Sequence, residues 1–499
     1  MSLTNSVPQG TPALHGGNDN LGIVFFNIGI FLIILGLCMF IPVAVDLNSD
    51  NPDWRVFALC GGLVTAIGGL LYLANKRNYK SLSIKQGFLI TATTWVTIPL
   101  VGSLPFIFSD LDISFTDAFF EAISGVTTTG STVLSGLDGM PPGILIWRSL
   151  LQWLGGVGII VMGIAIMPLL KIGGMQLFKT EAFDVSENFI PRSTKLASSL
   201  SVLYVGLTTM CALTLMLAGM TPFEAICHAL TTISTGGFST SDASIGHFDS
   251  AVIDYVISIF MVIGSIPFVL YLKLMHTGPR FAFCDQQVRG FMIVLVSIII
   301  PLSLYLYLSS DYDLNHSVRY VVFNVISVIT GTGYASTDYT LWGNLSAVVF
   351  FFIMFIGGCS GSTSCGIKIF RFQIMIITIK NNLKKYFYPN GIFISKYNNH
   401  KVTNSVSSSV FVFIFLFFMS FIFITLCLIL LGLDLKTAVS GAGTALSNVG
   451  PGIGDIIGPA GNFETLPNAA KWVLSFAMLL GRLEILSVLV FMSARFWKD

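Results

Sequence analysis

The sequence predicts an all-α integral membrane protein. Ten transmembrane helices and four short re-entrant helices form a pseudo-fourfold repeat behind an N-terminal helix pair. Three observations carry this. The 499 residues are 54% hydrophobic and only 10% charged, and the mean hydropathy is +0.81, far from that of ordinary soluble domains. Ten apolar segments are long enough to cross a bilayer, which takes about 20 helical residues. Four short glycine-centred strips recur between those segments at intervals of about a hundred residues.

In chain order the expected spans are Leu21–Val45, Trp54–Leu73, Gly87–Phe108, Gly143–Leu170, Leu196–Ala218, Ala251–Leu272, Gly290–Leu308, Leu345–Ile356 continuing into Ile367–Ile379, Val406–Leu431 and Ala470–Ser493. The first follows a polar leader with no basic region and no evident cleavage site, so it reads as a retained helix. Lys and Arg set the orientation. With a cytoplasmic N-terminus, the inside segments near 76–85, 171–195, 273–289, 368–401 and the C-terminus hold 20 of the 26 basic residues, among them Lys76, Arg77, Lys80, Lys85, Lys384, Lys385, Lys396, Lys401, Arg495 and Lys498. Outside segments are acidic, with Asp46, Asp50, Asp53, Asp110, Asp112, Asp242, Asp249, Asp311, Asp313, Asp455 and Glu464. Acidic outer loops would concentrate cations at a pore mouth, and they are equally what remains once basic residues are kept inside.

Several function classes drop out. A net charge of +1 without a basic, aromatic-interleaved cluster gives nucleic acid no footing. The eight cysteines (38, 60, 211, 227, 284, 359, 365, 427) are scattered, with no Cys-x-x-Cys pair, and read as small buried hydrophobes. There is no phosphate-binding Gly-rich loop, Gly-x-Ser-x-Gly elbow or His-Glu-x-x-His. No enzyme chemistry and no cofactor of the chain's own is expected.

Each repeat reads as a spanning helix, a short helix, a glycine strip and a second spanning helix. The short helices are expected at Ser114–Val126, Thr221–Ile233, Val318–Ile329 and Leu435–Ser447, each sufficient for half a membrane. Phe120-Glu121-Ala122 and Phe223-Glu224-Ala225 look related, with Phe323-Asn324-Val325 as an echo. The division is 1–83 for the helix pair, then repeats 84–195, 196–285, 286–405 and 406–499, with strips at 127–131, 234–238, 331–334 and 448–451.

The strips read Thr127-Thr128-Thr129-Gly130-Ser131, Ser234-Thr235-Gly236-Gly237-Phe238, Gly331-Thr332-Gly333-Tyr334 and Asn448-Val449-Gly450-Pro451. Gly and β-branched Thr are poor helix formers, and non-helical backbone at membrane depth survives only inside protein or beside a watery cavity. Four strips around one axis could offer rings of carbonyls to a bare cation. Each short helix would aim its negative C-terminal pole at the strip that follows. The central glycines Gly130, Gly236, Gly333 and Gly450 supply conformations that a Cβ resists; close helix packing is the alternative use of membrane glycine.

These strips resemble the four filters of the Trk/Ktr/HKT superfamily of potassium transporters, over residues 84–499. The extra helix pair in front makes the chain similar to the TrkH/TrkG-type branch, because Ktr-type subunits begin with the first repeat. The resemblance implies potassium uptake across a bacterial inner membrane by a homodimeric, lipid-embedded subunit, with K+ as cargo. It also implies a cytoplasmic TrkA-type regulatory ring that carries the nucleotide. The K+-coordinating residues would be Thr128, Thr129, Gly130, Ser234, Thr235, Gly236, Gly331, Thr332, Gly333, Asn448, Val449 and Gly450. Proton-coupled symport and conduction down the membrane potential both stay open. Alternatives are a sodium-dependent Ktr-type subunit and a secondary transporter with broken midplane helices.

Two features bear on gating. The second helix of the third repeat is interrupted by Gly357-Gly358-Cys359-Ser360-Gly361-Ser362-Thr363-Ser364-Cys365-Gly366, too polar for lipid and too rich in glycine for helix. It reads as an obstructing loop, as the family's intramembrane loop implies, with Gly357, Gly358, Gly361 and Gly366 as its flexible points. A packed kink is the alternative. Arg482, with Glu484 two residues on, lies deep in the last apolar helix, where a charge is costly without a partner or water. It reads as a cationic barrier below the filter, or else as a structural pair.

Overall fold

The computed structural model describes residues 21–77, 84–165, 193–277, 285–398, 400–485 and 488. The chain opens with helices Gly22–Cys38 and Phe40–Asn48, joined through Met39, and Trp54–Asn75 returns against them. Glycines make that pairing close. A Cβ at Gly29 would stand 2.8 Å from the Gly68 carbonyl, and one at Gly36 would stand 2.9 Å from the Gly61 carbonyl. This is small-residue packing between membrane helices.

Next come Ile84–Gly102, Leu104–Phe108, Phe115–Val126, Pro142–Ala165, Ser193–Leu217, Pro222–Ile233, Ala251–Gly264, Phe268–Thr277, Gln286–Ser309, Leu314–Thr330, Asn344–Ile353, Ile369–Phe387, Asn404–Leu430, Leu435–Ser447 and Asn468–Arg482. Strand pairs are minimal. Ile356–Gly357 runs parallel to Ile367–Lys368, and Lys396–Tyr397 runs antiparallel to His400–Lys401.

Among the described residues seven helices are long and apolar enough to cross a membrane, and eight if one bent pair counts as a span. The other expected spans differ for visible reasons. Ala251–Leu272 is the bent pair: it breaks after Gly264 and turns by 90° before Phe268, where Pro267 denies the helix a donor. The interrupted eighth span keeps only Asn344–Ile353 before its loop. In the last, helix stops at Arg482, and Glu484 takes a left-handed φ of +57°. Lys80, Arg495, Lys498 and residues 171–192 of the basic linkers lie outside the described residues.

The short helices centre the molecule. Each is N-capped by a side-chain oxygen, from Ser114, Thr221, Asp313 and Asp434, which satisfies a free N–H of the first turn. Three of the four run within one residue of the expected limits. The third begins four residues earlier, at Leu314, because Asp313 supplies the cap.

Candidate functional site

Every short helix ends in a strip with one backbone signature. Two residues spaced by one have positive φ: Thr128 (+51°) and Gly130 (+87°), Thr235 (+51°) and Gly237 (+81°), Gly331 (+74°) and Gly333 (+82°), Asn448 (+53°) and Gly450 (+99°). This aligns the strips and corrects one register. Gly237, not Gly236, is the counterpart of Gly130, Gly333 and Gly450. Threonine at positive φ is a genuine outlier, and here it recurs in two of the four strips.

The strips touch in sequence order and close on themselves. A Cβ on Gly130 would fall 2.3 Å from the Gly236 carbonyl oxygen, and one on Gly237 would fall 1.9 Å from that of Thr332. On Gly333 it would lie 1.8 Å from the Val449 oxygen, and on Gly450 3.0 Å from the Thr129 oxygen. Each final glycine thus faces the middle carbonyl of the next strip, round to the first. Ser131 Oγ donates to the Gly450 carbonyl at 2.8 Å and Asn448 Nδ2 to Thr129 Oγ1 at 2.9 Å, sealing the fourth strip to the first. Thr128, Thr129, Ser234, Thr235, Thr332, Asn448 and Val449 are all buried.

Past the final glycines a cavity of about 430 Å³ opens, lined by Gly130, Gly237, Gly333 and Gly450, with Asp242 and Asp455 among its walls. Behind the ring, each short helix reaches to the segment after its strip. Glu121 accepts from Thr132 Oγ1 and the Val133 amide, and His228 Nε2 lies 3.1 Å from Ser239 Oγ. Asn324 Nδ2 donates to Ser336 Oγ, and Ser440 Oγ donates to the Ile453 carbonyl. The resemblance between Phe120-Glu121-Ala122 and Phe223-Glu224-Ala225 is therefore out of phase. Glu121 corresponds to His228, whereas Glu224 closes the capping box with Thr221. Buried Glu121 is charge-paired with Arg148 at 2.7 Å, and Arg148 also donates to the Ser239 carbonyl at 2.8 Å, joining the first strip to the second. Arg148 was missed, although a lone cation in an apolar span carries the same signal that marked Arg482.

The Gly357–Gly366 loop meets the opposite end of the strips. Its base is pinned by the parallel pairing of Ile356 with Ile367 and Gly357 with Lys368. Cys365 Sγ lies 3.7 Å from Thr128 Oγ1, and Thr363 Oγ1 donates at 3.0 Å to the Ile233 carbonyl at the end of the second short helix. The loop also fills the break at Gly264–Pro267. The Cys359 amide donates to Ser265 O at 3.0 Å, that of Thr363 to Gly264 O at 3.3 Å, and Phe268 N returns a bond to Gly361 O at 2.9 Å. The loop and the broken helix satisfy each other.

Arg482, 3% exposed, is tied to this loop. Its Nη1 lies 3.2 Å from Thr363 O and 2.5 Å from Cys365 Sγ, and Nη2 lies 3.3 Å from Gly155 O. Glu484 instead pairs with Arg371, and among the described residues no carboxylate bridges Arg482. Lys368, Arg371 and Arg482 with a single Glu484 surround a void of about 40 Å³ under the loop. A net positive charge therefore sits below the ring. No cluster of three or more metal-ligating His, Cys, Asp or Glu occurs among the described residues.

A many-spanned helical chain whose four glycine strips close into a ring, with a loop and an arginine beneath them, belongs to the class of membrane transport proteins. Residues 55–499 match the family model "TrkH: Cation transport protein", and the chain belongs to that family. It is 44% identical to the Trk system potassium uptake protein TrkI of Halomonas elongata, over 95% of this chain and 96% of the relative. It is 36% identical to TrkH of Escherichia coli K12, over 95% and 98%, and 32% identical to TrkG of the same strain, over 96% and 99%. The crystal structure of the potassium transporter TrkH from Vibrio parahaemolyticus superposes with a TM-score of 0.88 at 34% identity, covering 96% of this chain and all of that one. These relatives are transporters and not enzymes.

Proposed function

We propose that this chain is the membrane subunit of a potassium uptake system in a bacterial inner membrane, with both termini cytoplasmic. Potassium enters from the acidic vestibule, sheds water against the carbonyls of the four strips and leaves past the Gly357–Gly366 loop and Arg482. The closed order of strip contacts carries this reading, because it makes one ring of backbone oxygens from one polypeptide. Such oxygens replace a cation's hydration shell, and the short-helix C-termini behind them favour positive charge. The potassium uptake named in the relatives supports the choice of ion.

The loop and Arg482 form the gate: the loop obstructs the path and the guanidinium opposes a cation there. A homodimer working with a cytoplasmic nucleotide-binding ring completes the system, consistent with relatives named as parts of a Trk system. Rubidium uptake by purified protein in liposomes tests the reading. Uptake that potassium outcompetes and sodium does not is the expected result; equal competition by sodium would sink the filter. The reversal potential under a pH gradient separates proton symport, which shifts it, from conduction down the membrane potential.

A further inference from the structure

The four middle carbonyls of the ring, those of Thr129, Gly236, Thr332 and Val449, are not equivalent. Among the described residues only Gly236 O accepts a hydrogen bond, from the side-chain amide of Gln152 at 2.6 Å. The same amide takes the Phe238 N–H on its oxygen at 3.0 Å. Gln152 therefore brackets Gly237 and pairs with the second strip as a neighbouring strand would. It is fully buried and rises from Pro142–Ala165, a helix of the preceding repeat. Gly236 explains why no side chain intervenes, because a Cβ there would collide with Gln152 at 2.4 Å.

On the reading of the strips as a cation filter, we propose that Gln152 is a positioning residue that sets its ion selectivity. A carbonyl oxygen has two lone pairs. Donation from Gln152 occupies one and fixes the direction of the other, so the second strip cannot shift towards a smaller ion. The remaining strips are tied at other points: Ser131 and Thr444 hydroxyls both donate to Gly450 O, and Ser327 Oγ donates to Tyr334 O. Among the described residues, only at Gly236 is a middle carbonyl held from outside its own repeat.

Two near-isosteric variants separate the halves of the clamp. Gln152→Glu, assayed at alkaline pH where its carboxyl is ionised, keeps an acceptor for Phe238 N but cannot donate to Gly236 O; Gln152→Met keeps neither bond. Potassium and sodium permeabilities, from reversal potentials in liposomes, provide a readout that altered yield or protein amount does not move. Both variants are expected to lower the potassium-to-sodium ratio roughly fivefold, the factor carried by one net hydrogen bond of about 1 kcal/mol. A wild-type ratio in Gln152→Glu with a lowered ratio in Gln152→Met would show that the Phe238 contact alone matters and overturn the proposal. So would unchanged ratios in both. A Gly333→Ala control tells this failure from failure of the filter itself, since an unchanged ratio there removes the ring from selection altogether.

Discussion

Two glycine-rich stretches meet under the vestibule, the ring of strips and the tip of the loop beneath it, and they are held in opposite ways. In the ring, each final glycine is closed in by another strip's backbone, as at Gly333, where a Cβ would fall 1.8 Å from Val449 O. Backbone cannot step aside without moving its neighbour, so the ring is stiff as a unit. At the loop's tip, Gly361 also has a positive φ, of +78°, but the nearest atom to its Cβ is 3.8 Å away on Pro267. The loop is fastened by a few hydrogen bonds to a broken helix and to Arg482. On the proposed reading, similar composition serves a part that discriminates and a part that moves.

A matched pair of substitutions probes that contrast. Asn tolerates left-handed backbone, so Gly333→Asn and Gly361→Asn differ mainly in the space available. Gly333→Asn is expected to lower the potassium-to-sodium permeability ratio by at least about tenfold, or 1.4 kcal/mol, while Gly361→Asn leaves it unchanged. Equal ratios in the two variants would erase the distinction.

Arg482 comes next. A fixed charge opposes a cation by about 4 kcal/mol at 4 Å and an effective dielectric near 20, and a residual third of that is still about tenfold in occupancy. Arg482→Gln should raise rubidium flux per folded molecule by roughly that factor and weaken dependence on the proposed cytoplasmic ring. Normal yield without added flux would take Arg482 out of the ion path. Deleting Ser360–Ser362 should raise resting flux by less, because Arg482 remains; a well-folded deletion with unaltered flux would make the loop a packed kink.

The smallest effect lies in the outer loops. The Ser241 hydroxyl, with the Asp242 amide, holds the Asp138 carboxyl below the usual carboxylate range. A depressed folded value contributes stability that is complete above about pH 4 and lost as pH falls through the lower value. The protection factor of the Asp242 amide, its exchange corrected for the intrinsic pH dependence of amide chemistry, should therefore be steady from neutrality to about pH 4 and fall only below it. Asp138→Asn should remove that dependence without touching permeation, and an unchanged pH profile in this variant would assign it to another group.

Legibility tracked local chemistry. Three short helices fall within one residue of their expected limits, and the side chains of Ser114, Thr221 and Asp434 cap their first turns. The second strip was read one residue out of register, since adjacent Gly236 and Gly237 are interchangeable on paper and only backbone φ separates them. Long-range partners left no local trace. Gln152, Arg148 and the Arg371–Glu484 pair act across 84, 27 and 113 positions respectively. The 90° break at Gly264–Phe268 was passed over in an apolar run, although Gly264, Ser265 and Pro267 mark it.

That break has a consequence for the opening step. Gly264 O and Ser265 O are satisfied by the loop, and bare carbonyls at membrane depth are costly. On the gating reading, a loop that withdraws must be replaced by solvent, so the open pore has to be the wetter one. Opening then becomes a hydration event, and large osmolytes that withhold water from the lumen should hold the transporter shut at constant voltage and nucleotide.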